Sequence, residues 1–143
     1  MADTYNSPSL NKTVRSGATG NLSVATASIT GNGSGSTIAI GDTVNFIRLP
    51  AFTRVHGVKL CVGTATASLT AEVGYAPDGG TAKPAAFISS GTDASAVTPV
   101  RDNTGAPVDL TVGSTITLTT AGAAVAATTV VTLVVTYEYL GTP

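Results

Sequence analysis

The sequence predicts an all-β chain: a single-domain β-sandwich or jelly roll of about eight strands over residues 21–143, behind an extended N-terminal arm over residues 1–20. Three observations carry this expectation. Apolar and polar residues alternate at period two in segment after segment, as in strands whose successive side chains face opposite sides. Gly-, Asn- and Pro-rich stretches punctuate those segments at short intervals, as turns do. No window sustains a 3.6-residue period, so no helix is expected.

The stretch Gly41–Val62 organises the rest. It holds an apolar run at Thr43–Leu49, a stop at Pro50, and a longer run at Val55–Val62. Val58, Leu60 and Val62 share one parity and Lys59 and Cys61 take the other. Pro50 lacks an N–H and cannot sit inside a ladder, so it marks a corner between two strands. Before this stretch, residues 1–20 carry almost no large apolar side chains and read as an extended arm, either a disordered terminus or an arm that orders on a neighbouring subunit with Tyr5, Leu10 and Val14 as small anchors. Asn21–Thr30 is a weak strand whose apolar parity switches from Leu22 and Val24 to Ala25, Ala27 and Ile29, which implies a bulge or burial on both faces. GNGSGS at 31–36 turns the chain into a short strand at Thr37–Ile40.

After the central stretch, Leu69, Ala71, Val73 and Tyr75 alternate with polar or small residues and end in the turn Pro77-Asp78-Gly79-Gly80. Ala85–Ser89 is a short apolar piece, and Gly91–Ala106 a long loop or weak strand pair. Ile116 and Leu118 alternate with Thr115, Thr117 and Thr119. In the last strand Val131, Leu133, Val135, Tyr137 and Tyr139 share a face; it is β-branched and free of glycine, which predicts a central place in a sheet.

Composition bounds the function. A chain of 143 residues is one domain that buries roughly 68–70% of its unfolded surface, so it needs no disulfide or metal to fold. The single Cys61 cannot bridge internally, and MADTYNSPSLNK has no secretory apolar core. Charged residues make up 10% of the chain against about 25% in an average soluble domain. Outer faces so poor in charge are coated with hydroxyls, meet other subunits, or both. A net charge of −1 and a pI of 5.6 argue against a nucleic-acid surface. The uncharged stretch from Leu110 to Tyr137 alternates and carries repeated Thr, unlike a membrane span of about 20 consecutive apolar residues.

No catalytic residue, cofactor site or metal site is expected. His56 shares parity with Val58 and Leu60 and reads as a capped or partly buried strand histidine, since a base needs a nucleophile or orienting carboxylate beside it. Cys61 reads as a small buried filler. Asp78, Asp93, Asp102 and Asp109 have no calcium-loop spacing, and Asp78 in PDGG and Asp102 in RDN read more simply as turn residues. Glycines in GNGSG precede no Lys-Ser/Thr and no helix, so they do not form a phosphate loop. Glu72 and Glu138 read as solvated strand residues or cross-strand partners of Lys or Arg.

Taken together, DTVNFIRLP (42–50), RVHGVKLCV (54–62), AEVGYAPDGG (71–80) and TTVVTLVVTYEYL (128–140) resemble small head-associated structural proteins of tailed bacteriophages, the decoration or cement proteins. The resemblance implies a β-sandwich on the capsid exterior of a virion, bound to the major capsid protein as a multimer; a dimer or trimer is expected, and no enzymatic activity. Tyr5, Leu10, Lys12, Val14, Arg15, Arg48 and Arg54 are the candidate subunit or capsid contacts. Two alternatives stay open: a carbohydrate-binding or adhesin-type sandwich, weakened by the lack of Trp and the few aromatics, and a jelly-roll coat protein that assembles alone.

Overall fold

In the computed structural model of the chain, the described residues are 2–10, 22–101 and 106–141. They form ten strands and no helix: β1 (Thr4–Asn6), β2 (Leu22–Thr30), β3 (Thr43–Leu49), β4 (Thr53–Val62), β5 (Thr70–Pro77), β6 (Lys83–Asp93), β7 (Val100–Arg101), β8 (Val108–Leu110), β9 (Ser114–Ala121) and β10 (Val130–Tyr139). The expected all-β sandwich is what forms. The count exceeds about eight because β1, β7 and β8 have only two or three residues each.

Two five-stranded sheets result. The first runs β1-β3-β9-β5-β6; the second runs β2-β10-β4-β7, with β8 also paired to β4. The antiparallel pairs are nested: β2 with β10, β3 with β9, β4 with β7 and β8, β5 with β6. Successive pairs alternate between the sheets, as when one long hairpin is wrapped over itself. That wrapping is the jelly-roll order. It explains why Pro50 matters: β3 and β4 flank it and lie in different sheets. The corner is closed by the Thr53 hydroxyl donating to the Pro50 carbonyl at 2.8 Å, with Phe52 at a φ of 58°.

Inward residues of the two sheets make one core. Phe46, Leu49, Val73, Ile116 and Leu118 from the first sheet meet Val55, Leu60, Val131, Leu133 and Val135 from the second, all at most 1% exposed. Strand β10 pairs on both edges, with β2 and with β4, which is the central place its composition predicts. Gly74 shows why β5 carries a glycine there: a Cβ would stand 1.9 Å from the Lys83 carbonyl oxygen of β6.

Several expectations need correcting. Thr37–Ile40 is not a strand; only Ile38 bridges to Val125, plugging the core between turns. The piece at Ala85–Ser89 extends into the eleven-residue β6. At β2 there is neither a bulge nor burial on both faces. Its register with β10 is unbroken from Leu22 to Thr30, and Leu22 and Val24 simply face outward, each 63% exposed. In β4 the register slips between Val55 and Gly57. This bulge lets Val55 and Val58 both point inward and turns His56 outward, against its nominal parity. Cys61 is half-buried on the outer face opposite Thr132, not a core filler, because the core positions there belong to Leu60 and Val62.

The N-terminal segment joins the sandwich. β1 lies parallel to β3, Tyr5 packs against the core, and Ser7 is buried with its hydroxyl donating to the Phe46 carbonyl at 2.7 Å. Asp42, only 2% exposed, accepts the Asp3 N–H at 2.7 Å and the Ala39 N–H at 2.9 Å.

Candidate functional site

The surfaces offered to a partner are the two outer faces and the edges of the sandwich. The first sheet's outer face carries Thr43, Asn45 and Arg48 from β3 beside Thr119 and Thr115 from β9, while Thr117, opposite Asn45, is buried. Hydroxyls and amides bond to one another there: Thr43 with Thr119 at 3.3 Å, and the Asn45 amide to Asn6 at 2.9 Å. The second sheet's outer face repeats the theme with Ser28 and Thr132 at 2.8 Å. Hydroxyl coating is therefore real on both faces, and it follows from Thr alternating with the core residues.

The ion pairs among the described residues' side chains fall in two small clusters, one on each side of the sandwich. Arg48 makes a two-pronged contact with Asp78 in the β5–β6 turn, its Nη1 at 3.0 Å from Oδ1 and its Nη2 on Oδ2. On the opposite face, Arg54 grips Asp109 of β8 with Nε at 2.6 Å and Nη2 at 3.0 Å, while His56 Nε2 lies 2.7 Å from Glu138. The hydrogen bond from Arg54 holds the Asp109 carboxyl below its usual range, against some desolvation and with help from the positive charge itself. Each arginine is held above its ordinary value by its aspartate. These are solvent-exposed pairs and contribute little to stability. No group of three or more His, Cys, Asp and Glu that could hold a metal occurs among the described residues. Asp93 accepts the Ser95 N–H at 2.8 Å, as a turn residue does.

The described candidate contact residues, Tyr5, Leu10, Arg48 and Arg54, are spread over the N-terminal segment and both outer faces. Tyr5 and Leu10 lie on the N-terminal segment, Arg48 on one outer face and Arg54 on the other, each arginine already paired within the chain. Lys12, Val14 and Arg15 lie outside the described residues, as does Asp102. What sequence reasoning missed is the uncharged outer row of β2, with Leu22 and Val24 displayed at one end, and the exposed Val130 of β10 paired with Thr30 at the other. The parity switch within β2 was the visible signal. Aromatic rings are not displayed: Phe46, Tyr75, Phe87 and Tyr137 are buried, and Tyr5, Phe52 and Tyr139 are half-buried.

No protein-family model matches the chain, and no curated protein matches it. Solved structures do. The chain is similar to chains of bacteriophage capsids. A chain of the cyanophage Pam1 capsid asymmetric unit is 25% identical, with a TM-score of 0.60 over 88% of this chain and 90% of that one. A chain of the capsid of Ralstonia phage GP4 superposes with a TM-score of 0.74 at 17% identity, over 98% of this chain and 99% of that one. A chain of the acid-stable capsid of Helicobacter pylori bacteriophage KHP30 gives 0.56 at 17% identity, over 84% and 89%. In each case the likeness spans more than four fifths of both chains.

Proposed function

We propose that the chain is a structural virion protein that decorates the exterior of a phage capsid and stabilises it, bridging neighbouring copies of the major capsid protein as a dimer or trimer. The observation that carries this reading is the whole-chain likeness to capsid chains, including the one that is 25% identical. The surface chemistry fits it. Charge-poor, hydroxyl-rich faces make contacts that depend weakly on salt, and many small contacts repeated over a lattice give a long-lived assembly. In this reading residues 1–20 act as an arm whose first part is anchored on its own β3, and Leu10, Lys12, Val14 and Arg15 are its contact residues. Contacts at Arg48 and Arg54 engage guanidinium groups already neutralised by aspartate.

Immunogold labelling of intact virions tests the placement: label on the outside of full heads is expected, and label absent from heads counts against it. A second reading, a coat protein that builds a shell alone, is favoured by the nested jelly-roll order, an arrangement common in viral coats. Electron microscopy of the purified protein separates the two, since closed shells form only under the second.

A further inference from the structure

We infer that β2 is a self-association edge: two copies pair their β2 strands antiparallel about a two-fold axis at Thr26, joining their second sheets into one continuous sheet. This deepens the multimer named above and rests on that reading only in taking the chain to self-associate.

The inference comes from how the sheet edges differ. An edge strand offers a row of unpaired N–H and C=O groups, and proteins blunt such rows with short strands, prolines, charges and bulges. β6, the far edge of the first sheet, carries Lys83, Pro84, Asp93 and two register shifts against β5. β1, β7 and β8 have three, two and three residues. β2 is blunted by none of these devices. It has nine residues, no Pro, no Gly and no charge, runs in unbroken register with β10, and has no strand on its other side among the described residues.

The register follows from parity and length. Outward residues are the even-numbered ones, so the paired numbers must sum to an even value if the joined sheet is to keep one outer face. Full overlap of Leu22–Thr30 then places Thr26 on its own copy, Val24 on Ser28 and Leu22 on Thr30. This is a self-complementary contact of the kind a two-fold dimer requires. Leu22 and Val24, fully outward in one copy, gain cross-strand neighbours in the other. Charge permits the pairing. In the Thr26 row the nearest charge is Lys59 on β4, beyond Val134, so the two Lys59 residues stand five strand spacings apart, roughly 24 Å, well beyond the Debye length of about 8 Å.

A charge-swap experiment on the full chain tests this. By light scattering, the native protein is expected to be a dimer or a multimer of dimers. Thr26→Lys and Thr26→Glu, both on an exposed position, should each weaken association by at least about tenfold by setting like charges on the axis. Mixing the two variants should restore it. In a Cys61→Ser background, Thr26→Cys should cross-link on oxidation, while Ser90→Cys on β6 should not. A native protein that is monomeric at high concentration overturns the inference. So does association that survives both charged variants, or variants that fail to complement when mixed while their spectra remain native. All of these readouts use free protein, so their failure leaves capsid binding to be judged by its own assay.

Discussion

Replacing Asp42 by alanine is the sharpest perturbation of how the N-terminal segment is held. Its buried carboxylate accepts the Asp3 and Ala39 N–H groups, and so fixes Asp3, the residue just before β1, whose carbonyl receives the Thr43 N–H at 2.8 Å. Hydrogen bonds to a charged group contribute about 1.5–3 kcal/mol each. Asp3 and Ala39 are exposed, so water replaces part of what is lost, and Asp42→Ala should cost about 2–4 kcal/mol. The carboxyl is held below its usual range first by the Asp3 N–H and then by the Ala39 N–H, while burial opposes them. A depressed value means that the stabilisation is fully present above the ordinary carboxylate pKa, near about 4. It is lost as pH falls through the lower folded-state value. Urea unfolding should therefore show a constant gap between native and variant from about pH 5 to pH 8, closing below about pH 4. Hydrogen exchange at Ser7 and Thr43 should accelerate in the variant. A stability change below about 0.5 kcal/mol, or a gap that widens in acid, would refute the reasoning.

Other perturbations follow from the core, the sheets and the surface. Leu133→Ala, at a fully buried site on central β10, should cost about 2–5 kcal/mol in urea melts. Gly74→Ala should drive β6 from β5, since its Cβ would meet the Lys83 carbonyl at 1.9 Å; expected readouts are a lower melting temperature and faster amide exchange along β6. Arg54→Ala should leave the urea midpoint within replicate scatter at moderate salt, because its side chain is 39% exposed and that of Asp109 50%. Stopped-flow refolding should be slow, in the millisecond-to-second range, because β2 must find β10 across most of the chain.

Much of this fold was legible from residue order. The apolar runs at Thr43–Leu49 and Val55–Val62 and the alternation in Leu69–Tyr75 and Val131–Tyr139 located β3, β4, β5 and β10, because their buried side chains are large enough to mark a face. Pro50 marked the crossing between sheets. β1 was not legible, since its pairing depends on Asp42 and Ser7 meeting partners 39 residues away in the chain. The bulge at His56 was hidden because parity counting assumes an unbroken ladder. The pairing of Arg48 and Arg54 was not legible because their aspartates lie 30 and 55 residues away in the chain. The exposed edge at β2 left a trace in the sequence, its doubled parity, but burial and display produce the same pattern there until the neighbouring strands are known.

Co-sedimentation of the purified protein with phage heads that lack it tests the central claim most directly. Saturable binding at a fixed number of copies per head, nearly insensitive to salt and raising the temperature at which heads release DNA, is the predicted result. Protein left wholly in the supernatant at every ionic strength, with heads no more stable than before, would contradict it.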